Sequence, residues 1–125
     1  MGDVGKAIDD RTVAIGIEPH STDYFFRGWW RLDDGDPKSA LADLSRAISM
    51  EKNSDVRPST ESALFFRALT LLRLRRFDDA LADCTEVKDG FVIYVRGLGH
   101  LSKEKLVAWA TERNSDAAQN APSDL

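Results

Sequence analysis

Tyr24-Phe25-Phe26-Arg27-Gly28-Trp29-Trp30 and Leu64-Phe65-Phe66-Arg67-Ala68 are two copies of one unit. Arg27 stands thirteen residues before the string Ala40-Leu41-Ala42-Asp43, and Arg67 stands thirteen before Ala80-Leu81-Ala82-Asp83. A turn signal separates the two strings each time: Asp34-Gly35-Asp36-Pro37 in the first copy and Arg75-Arg76 in the second. Each copy therefore predicts a helix, a short turn and a second helix. Fainter traces flank them. Ala7-Ile8-Asp9-Asp10 echoes the Ala-Leu-Ala-Asp string, and Ala14 matches Ala47 and Val87, each seven residues on. Ile93-Tyr94-Val95-Arg96-Gly97 echoes the stretch from Tyr24 to Gly28. The chain reads as half a unit over 4–20, whole units over 21–54 and 61–88, and another half over 91–101. A capping helix over 103–113 completes one domain, 1–113, and residues 114–125 read as a disordered tail.

The spacing explains how such units pack. Positions i, i+4 and i+7 share one helix face. Ala40, Leu44 and Ala47 make one stripe, and Ala80, Cys84 and Val87 make another. Gly28, Ala68 and Gly97 are the small residues expected on the partner helices, where a bulky side chain would push the pair apart. Helix ends carry their punctuation. Pro19 stops the first helix, Ser21 or Thr22 caps the second, Gly35 ends it, and Pro37 opens the third. Asn53 to Thr60 reads as a loop, Asp89-Gly90 ends the fifth helix, and Ser102 caps the last one. Arg27, Arg67 and Arg96 recur beside Asp10, Asp43 and Asp83, which predicts structural Arg–Asp pairs that fix helix register.

These residues resemble the tetratricopeptide repeat, a pattern of small and large apolar positions over about 34 residues. Tyr24, Gly28, Gly35, Ala40, Leu44 and Ala47 fall at the family's places in one unit, and Leu64, Ala68, Phe77, Ala80, Cys84 and Val87 in the next. Ala7, Arg11, Ala14 and Pro19 supply the back half of a unit before them. The resemblance implies an all-α fold: a right-handed stack of antiparallel helix pairs, an α-solenoid of about seven helices. The chain also departs from the pattern. Ala7 to Ala40 is 33 residues, Ala40 to Ala80 is 40, and Arg67 to Arg96 is 29. Arg31, and Arg73 or Leu74, sit near a place where an aromatic is usual.

Composition narrows the chemistry. The 125 residues carry a net charge of −4, which argues against general nucleic-acid binding. The basic run Arg67, Arg73, Arg75, Arg76 reads as a solvated face. One cysteine excludes an internal disulfide and a cysteine-based metal cluster, and Cys84 reads as a core residue. His20 and His100 lack ligand-like companions, and no Gly-rich phosphate loop occurs. Gly97-Leu98-Gly99 is too short a signal to mean a nucleotide. Acidic residues spread through every predicted helix without a catalytic constellation. The expectation is no enzyme, no cofactor and no metal. Residues 1–18 hold no continuous apolar stretch of the signal-peptide kind, and no stretch is long enough to span a bilayer. The chain reads as cytoplasmic.

The resemblance also implies where binding would occur, since first helices line the concave side of such stacks. The stripe facing that groove is then Thr22, Phe25, Trp29 and Leu32, followed by Ser62, Phe65, Leu69 and Leu72, and finally Phe91, Tyr94, Leu98 and Leu101. Residues 24–32 are apolar on nearly every face, so two faces need cover. The expected partner-binding residues are Phe25, Trp29, Leu32, Phe65, Leu69, Leu72, Tyr94 and Leu98, holding an apolar peptide or amphipathic helix. Some family members grip a C-terminal carboxylate with Lys and Asn on these helices; Phe25, Trp29 and Phe65 stand there instead. Three other readings compete. The groove is filled by the chain's own last helix through Leu106, Val107 and Trp109. The acidic chain is an immunity or inhibitor protein that neutralises a toxin. Or it is a scaffold that self-assembles through the groove or the unpaired first helix, residues 4–17.

Overall fold

Two turns with the same hydrogen bonds, forty residues apart, define the frame. In the first, the N–H groups of Asp34, Gly35 and Asp36 donate to the carbonyls of Trp30, Leu32 and Arg31. In the second, those of Leu74, Arg75 and Arg76 donate to Thr70, Leu72 and Leu71. Gly35 takes φ +81°, and Arg75 takes the same left-handed region at φ 63°. Each turn closes a helix and reverses the chain.

The computed structural model describes residues 2–51 and 58–116. The described residues form six helices: α1 (Gly2–Ile17), α2 (Ser21–Asp33), α3 (Pro37–Glu51), α4 (Pro58–Arg73), α5 (Phe77–Thr85) and α6 (Lys103–Asp116). A hairpin of β1 (Val92–Val95) and β2 (Gly99–Ser102) lies between α5 and α6. Each helix packs on the next in sequence, and α4 also touches α2 and α6. The protein is therefore mostly helical, with one small sheet.

The expected half repeat over 91–101 is corrected by this hairpin. β1 and β2 pair antiparallel, Val92 opposite Ser102 and Val95 opposite Gly99. Gly97 (φ +86°) and Gly99 (φ +79°) occupy the left-handed region, so neither serves as a small helix position. The physical reason is legible: Val-Ile-Tyr-Val is β-branched and aromatic, and alternates in burial with period two. Val95 and Leu101 turn into the core while Val92 and Tyr94 face out. The seventh helix of the expected stack is thus a pair of strands.

Other boundaries shift less. The last helix opens as expected, with the Lys105 N–H donating to Ser102 Oγ at 3.0 Å. It continues to Asp116, so residues 114–116 of the expected tail are helical, and 117–125 lie outside the described residues. The expected loop from Asn53 to Thr60 lies partly outside them too, and its last three residues belong to α4.

The core centres on α4. Ala63, Leu64, Phe65, Phe66, Ala68, Leu69, Thr70, Leu71 and Leu72 are all buried, so α4 has cover on every side. Thr70 manages burial by donating its hydroxyl to the Phe66 carbonyl at 2.7 Å. Phe25 and Trp29 of α2 reach Phe66 with ring centroids 5.8 and 5.0 Å away. Gly28 lets α2 lie on α3: a Cβ there would stand 2.9 Å from Leu44 Cγ.

Candidate functional site

A polar ladder runs between the helices. Arg27 of α2 donates from Nε and Nη2 to both oxygens of Asp43 in α3, each at 2.8 Å, and from Nη1 to Thr12 Oγ1 of α1 at 3.2 Å. Arg67 of α4 repeats the arrangement with Asp83 of α5 at 2.7 Å, and with Ser45 of α3 at 3.4 Å. Each arginine thus joins the aspartate of the helix after it to a hydroxyl on the helix before it. Asp43 is buried and accepts a third bond, from Arg31 Nη1 at 2.8 Å. The hydrogen bonds to Asp43 and Asp83 hold the guanidinium pKa values of Arg27 and Arg67 above their ordinary value. These forked pairs fix the register of helices rather than offer a free reactive group.

Arg96, the third expected member of this set, is elsewhere. It sits at the tip of the hairpin, where a small cleft is lined by Val4, Asp33, Asp34 and Arg96. Burial raises the Asp33 carboxyl pKa, and the charges of Arg96 and Arg73 oppose that rise. Arg73, whose own pKa is lowered by burial, donates from Nη1 to the Leu32 carbonyl at 3.2 Å and so caps the end of α2.

The hairpin decides the fate of the expected groove. Its base, Phe91, meets Phe65 of α4 with ring centroids 5.4 Å apart. Its tip, Arg96, stands beside Asp33 of α2. Val95 and Leu101 of the hairpin are buried in the same core as Phe25 and Leu69. Phe25, Leu32, Phe65, Leu69 and Leu72 are all buried and present nothing to a partner. Trp29 and Leu98 are half-buried against that core, and the Trp29 Nε1–H is buried without a partner. Tyr94 alone of the expected set is well exposed, its ring edge-on to His100 at 5.3 Å. The expectation of an open apolar groove is corrected: the chain covers these residues itself. The last helix shares in this core: Leu106 is buried, and Val107 and Trp109 are half-buried against it.

What remains open lies at the other end. On α1, positions 7, 10, 13, 14 and 17 share one face. Val13 is 63% exposed and Ile17 81%, the largest exposed apolar side chains of the helices described. Ala7, Asp10, Arg11 and Ala14 line a groove of about 320 Å³ closed on its far side by Trp30 of α2. Arg11 lies over the rings of Phe26 and Trp30, 5.0 and 5.5 Å from their centroids, and is held by Asp23 at 2.7 Å. The same repeat offset that pairs Ala7 with Ala40 puts Arg11 where Leu44 is buried. The sequence carries a signal for this face, since Ala7, Ala14 and Ile17 follow helical spacing, though the aromatic stripe of residues 24–32 is the stronger one.

A second cleft, about 290 Å³, opens between α3, α4 and α5. Its charged lining is already paired as Arg67–Asp83 and Arg76–Asp79. Cys84 is buried, and burial pushes its thiol pKa up to about 11. Among the described residues, no group of three or more His, Cys, Asp or Glu is placed to hold a metal ion. No described helix is long and apolar enough to cross a membrane. No family model, no curated protein and no solved structure matches the chain.

Proposed function

We propose that the chain is a helical-repeat protein of the tetratricopeptide kind, a right-handed stack of antiparallel helix pairs that binds protein without catalysis. The ladder supports the stacked arrangement, because Thr12, Arg27 and Asp43 recur as Ser45, Arg67 and Asp83 in the same hydrogen-bond pattern. The buried carboxylates Asp43 and Asp83 are engaged with arginines in holding that frame, which supports a scaffold rather than a reaction centre.

Binding falls to the α1 end of the stack, not to the inner side. The observation that carries this is the exposure of Val13 and Ile17 beside the α1–α2 groove. Apolar side chains left in water on one helix face beside a groove suit the face of a partner helix. The test is quantitative affinity capture with wild type and the Val13→Ser/Ile17→Ser double variant side by side. The double variant is expected to lose the proteins that wild type retains. Equal retention of the same proteins by both would overturn the assignment. Both substitutions are at exposed positions, so the helical circular dichroism is expected to stay unchanged.

A further inference from the structure

The hairpin leaves one edge of its sheet open. The Lys103 N–H donates to the Phe91 carbonyl at 2.9 Å, so these two residues are a hydrogen-bonded pair at the foot of the ladder. Antiparallel pairs alternate between bonded and non-bonded. With Ile93 opposite Leu101 and Val95 opposite Gly99, those are the next bonded pairs. Val92 and Tyr94 then aim their N–H and C=O groups away from β2. Among the described residues, no hydrogen bond outside the hairpin reaches those groups. β2 runs against α6, whereas the main neighbour of β1 is β2 itself. An edge with unpaired backbone groups is a template for another strand.

The same two residues carry exposed side chains. Val92 is 53% exposed and Tyr94 58%, both on the outward face of the hairpin, with His100 edge-on to Tyr94. Their order is self-complementary. A second β1 laid antiparallel about Ile93 sets Val92 of one copy opposite Tyr94 of the other, and the two-fold axis repeats the pair. In that register the outward N–H and C=O groups of both edges all find partners. A β-branched residue opposite an aromatic is also a favourable cross-strand pair. The charges agree. The tip of one hairpin comes beside the foot of the other, which sets the exposed Arg96 opposite Gly90 and next to Asp89. The Asp89 side chain is 94% exposed, and Lys103 engages one of its two oxygens.

We propose that two copies pair through β1, Val92 opposite Tyr94, so that their hairpins form one continuous antiparallel sheet across a two-fold axis. The α1 surface takes no part, so this pairing stands or falls apart from that reading. The same patch serves on both copies, so the contact is isologous and closes as a dimer. A second copy is favoured over an unrelated strand because a single register satisfies backbone, side chains and charge together. Strand addition of this kind draws its affinity from main-chain hydrogen bonds and its specificity from alternate side chains. The strands are short, so the interface is smaller than that of a stable complex. Association is therefore weak and driven by concentration.

Sedimentation velocity of the full chain tests this. The weight-average mass is expected to rise toward that of a dimer through the upper micromolar range and to stop there. Val92→Pro removes an outward N–H and no bond of the hairpin's own ladder, a place where an edge strand accepts proline. It is expected to abolish association. Val92→Lys and Tyr94→Glu each alter both symmetry-related pairs, and each is expected to weaken association about five-fold or more. The double variant Val92→Lys/Tyr94→Glu sets a lysine opposite a glutamate in both pairs and is expected to restore it to within about two-fold. Circular dichroism of each variant checks that the fold persists. A monomer at every concentration would overturn the proposal, and so would dimers indifferent to Val92→Pro. A double variant as weak as the singles would overturn the register and the pairing with it.

Discussion

Gly28 and Ala68 show how one repeat position takes two residues. In α4, Ala68 is fully buried against its neighbours. In α2, a methyl at residue 28 would stand 2.9 Å from Leu44 Cγ and 3.1 Å from both Asp43 Cβ and Leu44 Cδ2. Leu44 is itself buried, and Asp43 is held by two arginines, so neither gives way without cost. Gly28→Ala improves helix propensity by about 1 kcal/mol but overpacks the contact by about 1–3 kcal/mol. We expect net destabilisation, read as a lower urea midpoint with an unchanged slope. Ala68→Gly in the other unit is expected to destabilise too, through lost packing and backbone entropy of about 1 kcal/mol. Cys84 yields a pH test. Burial is the main cause that raises its thiol pKa from 9.0 to about 11, with Asp83 adding to it. The fold is therefore stabilised by the neutral thiol below pH 9, and that contribution is lost as pH rises from 9 toward 11. Cys84→Ala is expected to flatten the stability profile over that interval in chemical denaturation. An equal slope in both proteins would place the alkaline loss on other groups.

At the scale of elements, the two inter-helix turns use one backbone with different residues. Gly35 enters the left-handed region without penalty, whereas Arg75 enters it with a side chain. A non-glycine residue there costs about 1–2 kcal/mol, partly offset by its lower entropy in the unfolded chain. Arg75→Gly is expected to raise stability by about 0.5–1 kcal/mol, and Gly35→Ala to lower it by about 1 kcal/mol, both visible in thermal midpoints. The left-handed turn at Arg75-Arg76 was legible only as half of a repeat, since no glycine marks it. Helices α2 to α5 were legible for the same reason: two copies of a long spaced string constrain each other. The hairpin was misread because Tyr94-Val95-Arg96-Gly97 matches the letters of Tyr24 to Gly28. Its β-branched alternation, and glycines at 97 and 99, argued for strands and a turn instead. That misreading also concealed the fate of the groove. Phe65 and Leu69 look free in a list of helix faces, and only the placement of Phe91, Val95 and Leu101 shows them covered. Burial on a helix face depends on what the rest of the chain lays over it, which spacing within that helix does not encode. Asp43 and Asp83 were legible as partners of Arg27 and Arg67, because both sides of each pair recur at a constant offset.

Across the whole molecule, burial falls from the central α4 to α1 among the described residues. Helix α4 contributes nine buried residues in its described part, touches α2, α3, α5 and α6, and has its Phe65 under the base of the hairpin. No described residue of α1 is counted among the buried core. It is held to α2 by its inner face, by the Arg11–Asp23 pair and by the bond from Arg27 to Thr12. Local opening free energy follows buried contact, so α1 is expected to open well below the global unfolding free energy and α4 only near it. Native-state hydrogen exchange read by mass spectrometry or NMR checks this directly. In dilute protein, amides of α1 should exchange fastest among the helices and those of α4 slowest.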